Sequence, residues 1–232
     1  SLLNWRYAYI LLAAVALAGG LYNQFALPSD KPEEDPHDTV RPGLESIHYL
    51  IFGVSALWGF AHHGLYNYLP LYFSEKIQFG LNPTAEGSAL TGGILTAFVL
   101  VLGIIGQMGG GKIGSIIPRK KLLIWVVALN IPFLILMGFT SGILLVVIVG
   151  MLGAVNFSYQ PVNNSLIADV SSRRNRGFVY GISSGLGFGV GSLAATAGGF
   201  VGEYFQLSYI FPLLSIVLLP AVFLSYLIHR DK

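Results

Sequence analysis

Two clusters of polar side chains stand inside apolar sequence, and both have helical spacing. The first is His62, His63, Tyr66, Asn67 and Tyr68. His62 and Tyr66 are four residues apart, as are His63 and Asn67, so each pair shares a helix face. The second is Asn156, Tyr159, Gln160, Asn163 and Asn164. Positions 156, 160, 163 and 164 follow one helical stripe, with Tyr159 on its flank. Pro161 interrupts the hydrogen-bond ladder there, which kinks a helix or frees a carbonyl. Imidazoles, amides and phenols donate and accept hydrogen bonds without a fixed charge. That chemistry suits contact with a small solute, and an imidazole adds the capacity to carry a proton near neutrality. The plainer reading is that the same groups bond between helices and touch no solute. Thr91, Thr96, Gln107 and Asn130 are weaker candidates, and Ser183 and Ser184 read as packing residues.

The elements that position these clusters are long apolar runs. Seven occur, at Leu2–Tyr22, Tyr49–Phe73, Ala89–Gln107, Leu122–Phe139, Gly142–Ile167, Phe178–Val201 and Ser208–Ile228. About 20 apolar residues match a hydrocarbon core of about 30 Å. A chain of 232 residues cannot bury seven such helices in a water-soluble core. The sequence is 54% hydrophobic and 10% charged, with a mean hydropathy of +0.68, where soluble domains carry about 25% charge. The fold class is therefore an all-α membrane protein with seven transmembrane helices. Polar side chains at membrane depth face protein or a water-filled path rather than lipid. The expected cavity contacts are His62, His63, Tyr66, Asn67, Asn156, Tyr159 and Gln160, with Asn163 and Asn164 nearer a gate.

Several chemistries are excluded. Cysteine is absent, which removes disulfides, thiol catalysis and thiolate metal sites. His62 and His63 are adjacent, point in different directions and have no acidic companion, so no metal and no cofactor is expected. The last six runs contain no Asp or Glu. The basic residues lie in short joints, which argues against a nucleic-acid partner. Gly106 to Lys112 nearly spells a phosphate loop, but Ile113 stands where a hydroxyl should hold magnesium and no strand precedes it. Gly185–Gly191 imitates a dinucleotide fingerprint without the strand or the acidic residue.

Charge sets the expected orientation. With the C-terminus cytoplasmic, eleven of the thirteen Lys and Arg lie inside, and only Arg6 and Lys76 lie outside. The longest joint, Asn23–Ser46, is rich in Pro, Asp and Glu and reads as a solvated linker. It divides the chain into a first helix (1–22), a cytoplasmic linker (23–46) and a six-helix unit (47–232). Two basic joints face the same side. Gly109–Lys121 reads as a tight glycine turn carrying Lys112, Arg119 and Lys120, within reach of lipid phosphates. Asp169–Gly177 holds Asp169, Arg173, Arg174 and Arg176, which read either as a topology anchor or as a gate in which Asp169 pairs with an arginine in one state only. Gly181, Gly185 and Gly189 recur every fourth residue, a spacing that lets membrane helices approach closely, with Gly187 and Gly191 on a neighbouring face.

In this order the features resemble the major facilitator superfamily. Asn4-Trp5-Arg6-Tyr7 resembles the opening of that family's sixth helix and Leu69-Pro70-Leu71-Tyr72 the outer end of its seventh. Gly109–Lys121 resembles the signature loop between helices eight and nine, with Ser115 near the place of its usual acidic residue. Asp169–Gly177 and the glycine-rich run after it resemble the loop between helices ten and eleven and helix eleven itself. The resemblance implies a sixth helix followed by an MFS-like C-terminal half bundle. It also implies a missing N-terminal six-helix half, and a cavity bordered by the helices bearing the two polar clusters. The chain opens Ser1-Leu2-Leu3 without Met and is expected to be a piece of a longer protein.

The function these readings support is a secondary active transporter of a small organic solute or drug, embedded in lipid of the cell membrane, with protons as the candidate coupling ion. A seven-helix receptor or sensor and an intramembrane enzyme are the rivals. Topology is testable by cysteine labelling, because these 232 residues contain no cysteine of their own. Lys121→Cys should react with an impermeant maleimide only from the cytoplasmic side, and Glu203→Cys only from outside. The reverse pattern would invert the orientation.

Overall fold

The computed structural model describes residues 5–26, 43–77 and 85–231. It is all-α among these residues, apart from one 3-10 turn at Leu207–Tyr209. The helices are α1 (Trp5–Ala26), α2 (Ser46–Lys76), α3 (Ala85–Ile113), α4 (Arg119–Phe139), α5 (Gly142–Phe157), α6 (Tyr159–Val170), α7 (Arg173–Tyr204) and α8 (Ile210–Arg230). The apolar windows of α3, α4, α5 with α6, and the rod ending in α8 have mean hydropathies of 2.0 to 2.4, and that of α7 is 1.3. With α1 and α2 they make seven long apolar rods, the multi-pass pattern of an integral membrane protein. Two compact units are present, Ser1–Thr39 and Val40–Lys232. Most of the expected linker, 27–42, lies outside the described residues, with Lys31 and Arg41.

Several helices run past their apolar runs because interfacial polar residues continue the coil. Lys112 falls in the last turn of α3, Arg119 and Lys120 in the first turn of α4, and Arg173, Arg174 and Arg176 in the first turns of α7. The basic joint is therefore shorter than Gly109–Lys121 suggests. Gly109, Gly110 and Gly111 are helical, not turn residues. At Gly110 the reason is space, since a Cβ would stand 2.8 Å from the Ser158 carbonyl oxygen. Among the described residues the positive φ belongs to Gly142 (62°), which starts α5 after the tight Thr140-Ser141 joint.

The rod formed by α5 and α6 breaks at Ser158, three residues before Pro161. Proline has no N–H to give the carbonyl four residues back, so the ladder fails at Phe157. The Ser158 hydroxyl donates at 2.9 Å toward both the Ala154 and the Gly106 carbonyls, which ties the break to α3.

Within the larger unit α2 is central and packs on α3, α6, α7 and α8, while α4 packs on α5 and α8. Fully buried Leu65, Leu69, Tyr72, Phe73, Leu134, Met137 and Phe211 form much of the core. The Tyr72 hydroxyl donates to the Met137 carbonyl at 2.7 Å, joining α2 to α4. Lipid is as apolar as these side chains, so close packing rather than water exclusion drives helix association. α2 and α7 approach closely, since a Cβ on Gly59 would collide with the Gly187 backbone and one on Gly191 with the His63 ring. On Gly181, Gly185 and Gly189, the regular stripe, a Cβ would meet nothing among the described residues within 4 Å. The intrachain contact thus uses the neighbouring face of α7.

Gly59→Ala should push α2 from α7 and lower the thermal unfolding temperature in detergent, at a cost of about 1–3 kcal/mol. Gly93→Ala, where a Cβ meets open space, should leave it unchanged or slightly raised. Equal behaviour of the two would contradict the contact.

Candidate functional site

α2, α6 and α7 line an open recess of about 80 Å³. From α2 it is lined by Ser55, Trp58, His62 and His63, from α6 by Tyr159, Gln160, Asn163 and Asn164, and from α7 by Ser183, Ser184 and Phe188. None of the lining residues carries a fixed charge. The α2 residues recur at helical spacing, and the break at Ser158 turns Tyr159 and Asn163 toward them.

An aromatic stack forms one wall. The Tyr159 and Trp58 rings lie 4.0 Å apart at 11°, and Trp58 and His62 lie 4.5 Å apart at 24°. His63 stands perpendicular to His62 at 5.5 Å. Beside the stack, the Ser55 hydroxyl lies 2.7 Å from that of Ser183 and 3.2 Å from that of Tyr159. The Asn163 amide donates to Ser183 at 3.4 Å. Two buried atoms in the recess lack a partner, Trp58 Nε1, a donor, and Asn163 Oδ1, an acceptor. Trp58 is 8% exposed and Asn163 5%, and neither atom has a hydrogen-bond partner among the described residues.

Four of the seven expected cavity contacts line the recess: His62, His63, Tyr159 and Gln160. Asn156 stands behind it. Its amide donates to Asn130 at 2.9 Å and its oxygen faces His62 Nδ1 at 2.6 Å. Tyr66 packs its ring 4.7 Å from His62 and 5.4 Å from Phe157, outside the lining set. Asn67 is exposed and also outside it. Asn163 and Asn164, placed nearer a gate by sequence, line the recess. Ser55, Trp58, Ser183, Ser184 and Phe188 were not singled out as contacts. Trp58 was findable, because it lies one turn before His62 on the face that also carries Tyr66.

At the basic end, Asp169 forms an ion pair with Arg119 of α4. The Lys120 ammonium donates to the Asp231 carbonyl at 2.6 Å, and Arg176 donates to the Ala168 carbonyl at 2.7 Å. The Glu45 N–H donates to His48 Nδ1 at 2.9 Å, and His48 Nε2 lies 3.2 Å from the Ser171 hydroxyl. The start of α2, the start of α4 and the α6–α7 joint are thereby knotted together. Both partners of the Arg119–Asp169 pair are half-exposed, so it contributes at most about 1 kcal/mol.

The family model described as Major Facilitator Superfamily matches residues 1–158 and 87–232. No curated protein matches the sequence. Among solved structures, the crystal structure of a variant of the E. coli fucose:proton symporter is similar, with a TM-score of 0.70 and 13% identity. The alignment covers 96% of this chain and 55% of that one, so the chain spans about half the length of its structural relative.

Trp58→Ala empties the centre of the stack and should cost about 3–5 kcal/mol. Tyr159→Phe keeps the ring and loses one hydrogen bond, about 1 kcal/mol. Thermal unfolding in detergent should rank them in that order, and the reverse order would remove the stack from its structural role.

Proposed function

This chain belongs to the Major Facilitator Superfamily, which sets it among transporters rather than enzymes, and from that premise we propose that it forms the C-terminal half and preceding helix of a secondary transporter. In this reading a small uncharged organic solute binds in the recess between α2, α6 and α7 and crosses by alternating access. The carrying observation is the recess itself. It lies midway along the long helices, joins both polar clusters and has no charged lining residue. An anionic solute would need a buried Arg or Lys, and none lines it. The family pattern supports a second six-helix half that closes the open side, with rocking of the halves about a shared site. Gly181, Gly185 and Gly189, bare toward this chain, are surfaces on which a helix of that half packs.

Protons are the coupling ion in this reading, with His63 as their carrier. Its ring lines the recess and makes no hydrogen bond among the described residues, whereas His62 is bonded to Asn156. Arg119, Lys120, Lys112, Arg173, Arg174 and Arg176 mark the cytoplasmic face, and the cell membrane is the proposed location.

The test is uptake by the full-length protein in proteoliposomes, beginning with fucose, the solute named for the structural relative, and extending to other neutral solutes. Gln160→Ala and Asn163→Ala should each reduce uptake at least tenfold. His63→Gln should abolish its dependence on an imposed pH gradient. Uptake unchanged in all three variants would overturn the assignment of the recess.

A further inference from the structure

Behind the recess a chain of hydrogen bonds runs through three helices and ends on a backbone carbonyl. The Asn130 side chain, fully buried on α4, places Nδ2 2.7 Å from the Val126 carbonyl oxygen. A carbonyl oxygen only accepts, so the Asn130 amide cannot be reversed without setting two acceptors face to face. Its Oδ1 is therefore the atom turned to α5, where it accepts from Asn156 Nδ2 at 2.9 Å. That fixes the second amide as well. Asn156 Oδ1 is left facing His62 Nδ1 at 2.6 Å, and an amide oxygen at that distance requires a proton on the nitrogen. A neutral imidazole carries one N–H. With it on Nδ1, Nε2 keeps a lone pair.

We propose that Asn130 and Asn156 are positioning residues that hold His62 as its Nδ1–H tautomer, and so present the Nε2 lone pair to the recess as an acceptor for a hydroxyl or N–H of a neutral solute. His62 lines the recess, and its Nε2 has no hydrogen-bond partner among the described residues. Neither asparagine lines the recess, and neither is accessible, at 0% and 3% exposure. Their polar atoms are spent on the relay. Stacking against Trp58 holds the plane of the ring whose tautomer the relay selects. The other open groups of the recess match the same ligand class. Trp58 Nε1 calls for an acceptor and Asn163 Oδ1 for a donor, and a hydroxyl is both. A solute with several hydroxyl groups, or with hydroxyl and amide groups, satisfies all three atoms without bringing a charge into a site that has none to offer. Sites that hydrogen-bond a ligand hydroxyl discriminate steeply against analogues lacking it, because the buried partner is then left unpaired.

The structure also supplies an internal reference. His48 Nδ1 accepts the Glu45 N–H, so the neutral His48 ring is the opposite tautomer, with its proton on Nε2 toward Ser171.

The ligand class rests on the proposed recess, but the tautomer lock is read without transport. The full-length protein, labelled with 15N-histidine and held in lipid nanodiscs, distinguishes protonated from bare ring nitrogens. His62→Gln and His48→Gln assign the signals. In the unaltered protein His62 should be Nδ1–H and His48 Nε2–H. Asn130→Ala, and separately Asn156→Ala, should lower the His62 Nδ1–H to Nε2–H ratio at least tenfold while His48 stays put. A predominantly Nε2–H His62 in the unaltered protein overturns the lock, whether or not either variant folds. A ratio unchanged in both variants overturns it too, and reduces the asparagines to packing. Saturation with monosaccharides, polyols and small amides in turn should move the bare Nε2 signal for at least one of them. No movement with any overturns the solute-facing role even if the tautomer is as stated, and uptake lost in the recess variants would then still stand by itself.

Discussion

A polar atom surrounded by hydrocarbon has no water to fall back on, so its hydrogen bond must come from the protein. The arrangement around α2 follows from that constraint. His48 finds Glu45 and Ser171, Ser55 finds Ser183 and Tyr159, His62 finds Asn156, and Tyr72 finds a carbonyl of α4. These side chains tie α2 to α4, α5, α6, α7 and the α6–α7 joint. Pairing stops at Trp58 Nε1 and Asn163 Oδ1, on residues that line the recess, and at the Tyr66 hydroxyl and Arg176 Nε, on residues that do not.

The glycines serve the same end by different means. A hydrogen bond between side chains of two helices needs their backbones within reach. At Gly59 and Gly191 there is no room for even a methyl group between α2 and α7. Ser55 and Ser183, both short side chains, can then meet at 2.7 Å. On the far side Gly106 and Gly110 bring α3 against the Ser158 break, and a single hydroxyl bridges the two rods. Close packing and polar satisfaction are one arrangement here.

Much of this was legible in the sequence. Seven apolar runs gave the rods, since length and hydropathy are local properties. The two polar clusters marked the helices that carry the recess, and Pro161 announced the break. What a sequence stripe does not carry is the identity of the partner across the gap. Asn156 looked like a lining residue because it lies on the same stripe as Gln160, yet its amide is taken by Asn130 of α4 and His62 of α2. Ser183 looked like packing because nothing local distinguishes a serine that caps its own helix from one that meets Ser55. The regular stripe at Gly181, Gly185 and Gly189 drew attention by its period, whereas the close approaches at Gly191 and Gly198 are set by the rotation of α7 about its axis, and that rotation is a tertiary fact. The glycines at 109 to 111 looked like a turn for the same reason, since the need for the middle one, Gly110, comes from a neighbour 48 residues away at Ser158.

The α2–α7 contact has one further consequence. α7 lies against α2 along much of its length, from Gly187 opposite Gly59 to Gly198 under the Tyr68 ring, and it makes few contacts with α6 and α8. Two rods meshed at several levels with no slack between their backbones cannot slide past each other one at a time. At these levels the two rods are fitted together as one piece. Trp58 and His62 of the aromatic wall ride on this pair of rods, while Tyr159 reaches the wall from α6.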